Sequence, residues 1–315
     1  MALRVVFCGT PAFALPSLRG LLAEPDFKIE AVITQPDRAR GRGQERGSSA
    51  VKEEALEAGL HVYQPEKMKS DSAFEFFQRL APDAVVIIAY GQIIPARLLD
   101  IPRLGWINLH ASLLPRYRGA APIQRAILAD DTRTGLTTMR IDAGLDTGPT
   151  LMRQEIDIGP DETAPELARR MAEAGAPLVA DTLRKLDRGE IAPVPQDHTG
   201  ATFAPPLKKE EGKIDWPQPA QRIYNQIRGL EPWPGAFTTF RGQLCQIRGR
   251  PAPAPPEISG GAPGTIAVAG GELFVTCGEK TFLRMETLQL EGRKRVSARE
   301  FANGARLSPG DRFGS

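Results

Sequence analysis

The sequence predicts an α/β protein, a doubly wound and mostly parallel sheet with helices on both faces, followed by a smaller β-barrel unit. Three observations carry that expectation. At 315 residues the chain exceeds the usual size of one domain. Its first two thirds alternate short apolar, β-branched runs with stretches of helical periodicity. One of those runs, VVIIA at 85–89, is apolar without alternation, which marks a strand buried on both faces. Beyond residue 207, short strand-like runs are separated by Gly and Pro at turn positions, and closing such a sheet removes its edges. The expected bounds are 1–189 for the first unit, 190–206 for a linker rich in Pro, Thr and Gly, and 207–315 for the second unit.

The elements follow in order. Residues 3–8 read as a buried strand, 14–22 as a helix and 30–34 as a strand. Residues 51–58 have helical periodicity, 61–63 make a short strand, 73–80 a helix, and 83–89 and 106–110 two further strands. A strand-like run at 136–141 comes next. A long helix over 163–186 closes the unit, with Asp161 as a plausible cap. In the second unit one helix, near 219–228, precedes strands at 236–240, 244–248, 265–269, 273–277 and 281–290, and 251–263 reads as a Pro-rich exposed loop.

Composition excludes several classes. Three cysteines, odd in number and with no CxxC, argue against a disulfide framework, and with three histidines they cannot assemble a usual zinc site. No run of eighteen apolar residues occurs and the N-terminus lacks a secretory pattern, so the chain reads as cytosolic, with no membrane role and no metal. The net charge of +2 conceals an asymmetry: residues 207–315 hold 16 basic against 11 acidic side chains, and residues 1–206 hold 24 against 27. The basic last third permits a polyanionic partner without demanding one.

Chemistry concentrates in Trp106-Ile-Asn-Leu-His-Ala-Ser-Leu-Leu-Pro-Arg-Tyr-Arg-Gly119. Alternation along a strand puts Asn108 and His110 on one face and Leu109 on the other, where a parallel strand runs into its loop. The helix entered near Pro122 would bury Ile123, Ala126 and Ile127. Taken alone, an Asn-x-His pair is more often structural than catalytic. A second element, Asp142-Ala-Gly-Leu-Asp-Thr-Gly-Pro149, follows the strand at 136–141. Its glycines allow a tight loop that brings the Asp146 carboxylate against an imidazole, and an Asx turn is the plainer alternative. One Asp-Thr-Gly loop does not make an aspartic protease, which needs two. The Cys8-Gly-Thr-Pro11 turn lacks the GxGxxG spacing, and no GxxxxGK[ST] segment occurs, so dinucleotide and Walker-type nucleotide sites are unsupported. Residues 35–46 hold four arginines in nine positions, a loop that is either solvated or able to reach phosphates through planar guanidinium forks.

Asn108-Leu-His110 leading into Ser112-Leu-Leu-Pro-Arg-Tyr-Arg-Gly-Ala-Ala-Pro122, together with the loop 142–148, resembles the signature of the formyltetrahydrofolate-dependent formyltransferases and hydrolases. The start 7–13, the loop 35–43, Lys209 to Trp216 and Pro232-Trp-Pro-Gly235 resemble the branch of that superfamily that formylates methionyl-tRNA. Gln44 stands where lysine is frequent in the family, and Tyr117 where tryptophan is common. The resemblance implies a Rossmann-like catalytic domain and an OB-like tRNA-binding domain. It implies a catalytic trio of Asn108, His110 and Asp146, a folate site that includes Ser112, Leu113, Leu114 and Pro115, and a tRNA contact at Arg42. The implied partners are 10-formyltetrahydrofolate and initiator methionyl-tRNA, with no obligate protein partner. Formylation of an amino sugar nucleotide and hydrolysis of formyltetrahydrofolate are the alternative activities, a folate-binding sensor the non-enzymatic one. Glycinamide ribonucleotide formylation fits less well, because that small enzyme lacks a second domain.

Overall fold

The computed structural model describes residues 1–40, 45–258, 260–308 and 310–314. Arg42 lies outside the described residues. The chain divides into two compact units, Met1–Pro122, Arg133–Asp157 and Glu166–Pro205 forming one, and Ile123–Thr132, Ile158–Pro165 and Pro206–Ser315 the other.

In chain order, residues 1–187 form β1 (Leu3–Gly9), α1 (Leu15–Ala23), β2 (Phe27–Ile33), β3 (Arg38–Arg40), β4 (Glu45–Gly47), α2 (Ala50–Glu57), β5 (Val62–Tyr63), α3 (Asp71–Leu80), β6 (Ala84–Ile88), α4 (Ala96–Leu99), β7 (Trp106–His110), α5 (Pro122–Leu128), β8 (Arg133–Arg140), β9 (Thr150–Asp157) and α6 (Ala164–Asp187). Local chemistry starts the helices. The Ser49 hydroxyl accepts the Lys52 N–H at 3.2 Å to cap α2, and Ser70 accepts the Ala73 N–H at 3.2 Å to cap α3. Asp161, expected to cap the long helix, does something else. It precedes α6 by three positions, and its carboxylate accepts the Tyr224 hydroxyl at 2.7 Å.

Among the described residues the first unit is built on a sheet in the order β5-β2-β1-β6-β7-β8-β9. β5, β2, β1, β6 and β7 run parallel, while β8 runs antiparallel to β7, and β9 antiparallel to β8, at one edge. The order reverses between β1 and β6, which is the switch point at which open α/β sheets leave a crevice beyond their carboxyl ends. One face of the sheet presents Val6, Cys8, Val85, Ile87 and Trp106 to Phe77 of α3, Leu98 of α4 and Met68. Burying side chains of this size contributes about 1.5–3 kcal/mol each. On the opposite face Leu109 meets α6, where a Cβ at Gly175 would stand 2.5 Å from Leu109 Cδ2, so the glycine lets helix and strand approach without displacing that side chain. The arginine-rich segment, expected as an irregular loop, instead pairs β3 with β4 in an antiparallel ribbon. The backbone supplies that pairing irrespective of how polar its side chains are.

The second unit contains α5, α7 (Ala220–Gly229), β10 (Phe237–Phe240), β11 (Gln243–Pro251), β12 (Ile266–Ala269), β13 (Glu272–Thr276), β14 (Phe282–Leu290), β15 (Val296–Ser297) and α8 (Ala298–Ala305). Its strands pair antiparallel in the order β10-β11-β14-β13-β12, with β15 added to β14. The chain end joins the two outer strands: Phe313 bridges Phe240 and Arg312 bridges Thr265, while the Ile266 and Gly314 N–H groups donate to Asp311 O and Thr239 O. Both edges are thereby occupied. Trp216 stacks on Phe313 at 5.6 Å inside the core made by Ile223, Ile247, Leu273 and Leu283.

Candidate active site

β7 delivers two polar side chains to one place. Its pairing sets Asn108 beside Ile87 of β6 and Met139 of β8, and His110 beside Thr137. Trp106 faces the α3 side, so Asn108 and His110, two and four residues on, share that face. His110 is buried and its Nε2 lies 2.9 Å from the Tyr117 carbonyl oxygen. A carbonyl only accepts, so Nε2 carries the proton. The other nitrogen, Nδ1, then faces Asp146 Oδ2 at 3.7 Å, within ion-pair range and beyond a hydrogen bond. In this tautomer a proton arriving at Nδ1 meets a carboxylate while the ring stays anchored at Nε2.

Two aspartates divide the work of the loop between β8 and β9. Asp142 builds the turn: its Oδ1 accepts the Gly144 N–H at 3.0 Å and the Thr147 hydroxyl at 2.8 Å, the Asx arrangement. Asp146 has φ 51°, a left-handed conformation, and turns its carboxylate toward the β7 exit, where Oδ2 accepts the Gly119 N–H at 2.8 Å. Gly119 has φ 119°, and a Cβ there would stand 2.7 Å from Ala204 O, so the residue that supplies this N–H must be glycine. Asn108 is half-buried, and its carboxamide has no hydrogen-bond partner among the described residues. Its two N–H donors are free to meet a ligand.

The segment after β7 is shaped from within. The Ser112 hydroxyl donates to Arg116 O at 2.5 Å, Thr137 Oγ1 donates to Ser112 O at 2.7 Å, and the Leu114 N–H donates to Thr137 Oγ1 at 3.1 Å. Ser112 and Leu114 are buried, while Leu113 and Pro115 stay partly exposed. The structure thus brings Asn108, His110 and Asp146 together, and it commits the Ser112 hydroxyl and the Leu114 N–H to holding this segment while the Leu114 side chain is buried. A separate polar cleft, lined by Thr10, Gln35, Asp37, Ser49 and Gly91, opens at the carboxyl ends of β1, β2 and β6.

No thiol competes for the chemistry. Cys8, Cys245 and Cys277 are all buried and unpaired. Burial pushes the Cys8 thiol up, that of Cys245 to about 11 and that of Cys277 to about 12. Among the described residues no group of three His, Cys, Asp or Glu side chains could hold a metal ion.

Three residues around the site escape sequence reasoning. Arg118 is buried, and its Nε and one Nη donate to Gln196 Oε1 at 3.2 and 2.7 Å. The same Nη lies 3.0 Å from His198 Nδ1. Gln196 is buried as well, and its Nε2 donates to Asp146 O at 2.9 Å and to Gly148 O at 2.7 Å. Gln196 and His198 fall in the segment read as a linker. That segment runs against the signature loop: the Arg118 and Ala204 N–H groups donate to Thr202 O and Arg118 O. The sequence shows only a second arginine two positions after Arg116 in the motif; its burial, and with it the need for a partner, appears in the structure alone.

A family model described as formyl transferase matches residues 3–183, and the model of the formyl transferase C-terminal domain matches residues 206–306. The chain belongs to the formyl transferase family. A methionyl-tRNA formyltransferase of Solibacter usitatus is 50% identical over 313 residues, covering 99% of this chain and 99% of the relative. The methionyl-tRNA formyltransferase of Geobacter metallireducens is 47% identical over 313 residues, with the same coverage of both chains. Among solved structures, the N-formyltransferase of Helicobacter canadensis, in complex with folinic acid and dTDP-3-aminofucose, matches with a TM-score of 0.66 at 18% identity. That match covers 94% of this chain and 100% of the other. HypX of Aquifex aeolicus in complex with tetrahydrofolic acid gives a TM-score of 0.66 at 14% identity, over 98% of this chain and 48% of that one. These two likenesses show the fold, including the succession of a mostly parallel sheet and an antiparallel unit. No helix among the described residues is long and apolar enough to cross a membrane.

Proposed function

We propose that this formyltransferase moves the formyl group of 10-formyltetrahydrofolate to the α-amino group of initiator methionyl-tRNA, in the cytoplasm, for translation initiation. The observation that carries the reading is the near-complete alignment, at about half identity, with relatives named for that reaction. The convergence of Asn108, His110 and Asp146 at the exit of β7 supports it chemically.

The amine attacks the formyl carbon, the carbonyl π pair moves to oxygen, and the tetrahedral oxyanion then expels N10 of the folate, which leaves with a proton. Asn108 donates its free N–H groups to the oxyanion, a service worth about 2.7–4 kcal/mol in acyl-transfer enzymes. His110 moves a proton from the ammonium formed on attack to the leaving nitrogen, using Nδ1 while Tyr117 O anchors Nε2. Asp146 orients the imidazole and stabilises its charged form during transfer. The amine is itself the nucleophile, which agrees with the burial of all three thiols. For the folate, the backbone of Ser112 to Pro115 and the exposed parts of Leu113 and Pro115 form the contact surface.

The tRNA is held by Arg42 near its acceptor end and by the basic residues of the second unit. There Arg241, Arg250 and Arg284 pair with Asp311, Glu286 and Glu272, while the exposed Lys209, Lys213, Arg222, Arg293, Lys294 and Arg299 carry no ion pair among the described residues. These unpaired cations can release phosphate counterions. The test is direct: incubate the protein with 10-formyltetrahydrofolate and charged initiator tRNA and assay formylmethionine on the RNA. Formate release without an amine acceptor, or no product beside an active control enzyme, overturns the proposal.

A further inference from the structure

We infer that Gln196, oriented by the buried Arg118, is a positioning residue that holds the Asp146 loop in register with His110. The inference rests on the roles proposed above for His110 and Asp146 and deepens them. Asp146 sits in a left-handed conformation that costs free energy in any residue but glycine, so something must hold it there. Its carboxylate is fixed by the Gly119 N–H, and its backbone by the Gln196 carboxamide, which also binds the carbonyl two residues on. Gly148 is packed tightly enough that a Cβ there would collide with Arg140 O, so the loop has little freedom to seek another support.

The direction of the Gln196 carboxamide follows from chemistry. A guanidinium only donates, and Arg118 aims two N–H groups at one end of the amide, so that end is Oε1. The Nε2 end must then face the loop, where it finds two carbonyls. His198 Nδ1 accepts from the same guanidinium, which places the His198 proton on Nε2. Arg118 forms no ion pair among the described residues, although it is buried. A cation kept in the interior on neutral acceptors is costly, and here two of its N–H groups set the orientation of the side chain that grips the loop, while His198 Nδ1 takes a further contact.

Replacement of Gln196 by Glu separates gripping from folding. The glutamate keeps volume and strengthens the contact with Arg118, yet it turns an acceptor toward Asp146 O and Gly148 O, so the loop is released. In the full chain, Gln196→Glu should lower kcat for formyl transfer by about 10- to 100-fold, the scale of misplacing a reacting group by around an ångström. KM for folate and for tRNA should change less than about 2-fold while the melting temperature holds. Gln196→Met, which adds no charge but removes both the donor to the loop and the acceptor of Arg118, should lower kcat in the same direction and lower the melting temperature as well. In an Asp146→Ala background neither change should lower kcat further, because the residue acts through Asp146. A kcat for both Gln196 variants within about 2-fold of the unmodified chain overturns the inference, as does the same fractional loss in the Asp146→Ala background. Absence of formyl transfer by the unmodified chain would instead refute the proposed function, so the two failures are distinguishable.

Discussion

Replacement of Asn108 by alanine sets two magnitudes against each other. The Asn108 carboxamide makes no hydrogen bond to the described protein and is only half-buried, so truncation removes no intramolecular partner and leaves no orphaned donor. Substitutions of this kind usually stay within about 0.5 kcal/mol of neutral in stability. At roughly 2–4 °C per kcal/mol for chains of 150–250 residues, that is a shift of no more than about 2 °C. Catalysis should respond on another scale. Losing one oxyanion donor costs about 2.7–4 kcal/mol of transition-state stabilisation, which is a fall of about 100- to 1,000-fold in kcat. Asn108→Asp should lose as much, since the ionised carboxylate has the volume of the amide and no donor. Steady-state formylation of methionyl-tRNA at saturating folate, run beside a thermal melt of each variant, measures both quantities. A kcat within about threefold of wild type in Asn108→Ala refutes the assignment. So does a large loss accompanied by a fall of more than about 5 °C in the melt, which would make the residue structural.

Four further outcomes are expected. His110→Ala and Asp146→Ala should each lower kcat, and the double variant should lose less than the product of the two, because the imidazole and the carboxylate act as one unit; fully multiplicative kcat losses would contradict this. Gly119→Ala should lower both the melting temperature and kcat: φ 119° and a Cβ 2.7 Å from Ala204 O force the backbone to shift, and the N–H that binds Asp146 shifts with it. Backbone strain of about 1–3 kcal/mol is expected, read as a melting-temperature loss of several degrees. The cysteines should resist alkylation by iodoacetamide in the native protein at pH 8 and react after unfolding, since burial raises all three thiols; rapid native labelling, counted by mass spectrometry, would contradict their packing. Asp26 is held below the usual carboxylate range by its hydrogen bonds to the Arg184 guanidinium, and Glu30 likewise by Arg4. A depressed folded value contributes stability above the unfolded value, near 4, and loses it as pH falls through the folded one. The melting-temperature gap between wild type and Arg184→Met should therefore narrow as pH drops below about 4, and a gap that widens there would overturn the ion-pair account.

Much of this architecture is legible locally. The unalternating run at 85–89 marks β6, whose residues are buried throughout, and the alternation in Trp106 to His110 places Asn108 and His110 on one face, as the Trp106 packing shows. What escaped was mostly polar or short. β9, with exposed Arg153, Gln154 and Glu155 along one edge of the sheet, has no apolar pattern to announce it. The β3 and β4 ribbon is made by backbone pairing within an arginine-rich stretch, where side-chain periodicity is silent. Pro-rich composition at 190–206 suggested a spacer, whereas Val194, Gln196, Thr202 and Ala204 all carry hydrogen bonds to segments 40 to 90 residues earlier in the chain.

The sequence by itself determined which strand bears an amide and an imidazole on the same side, and that a glycine-flanked carboxylate follows in a tight loop. Those are consequences of period-two geometry and turn chemistry, both set within a few residues. Only the tertiary structure decided that Asp146 meets His110. That meeting depends on β8 returning antiparallel beside β7, with His110 opposite Thr137, and on a glutamine fifty residues further along holding the loop's backbone. Tertiary structure also placed the Asx turn at Asp142, leaving Asp146, the carboxylate the sequence had pointed to, to face the imidazole. The reason is physical: local propensity specifies how a segment bends, but which distant segment it touches is set by strand order and register, and these emerge when the whole core closes.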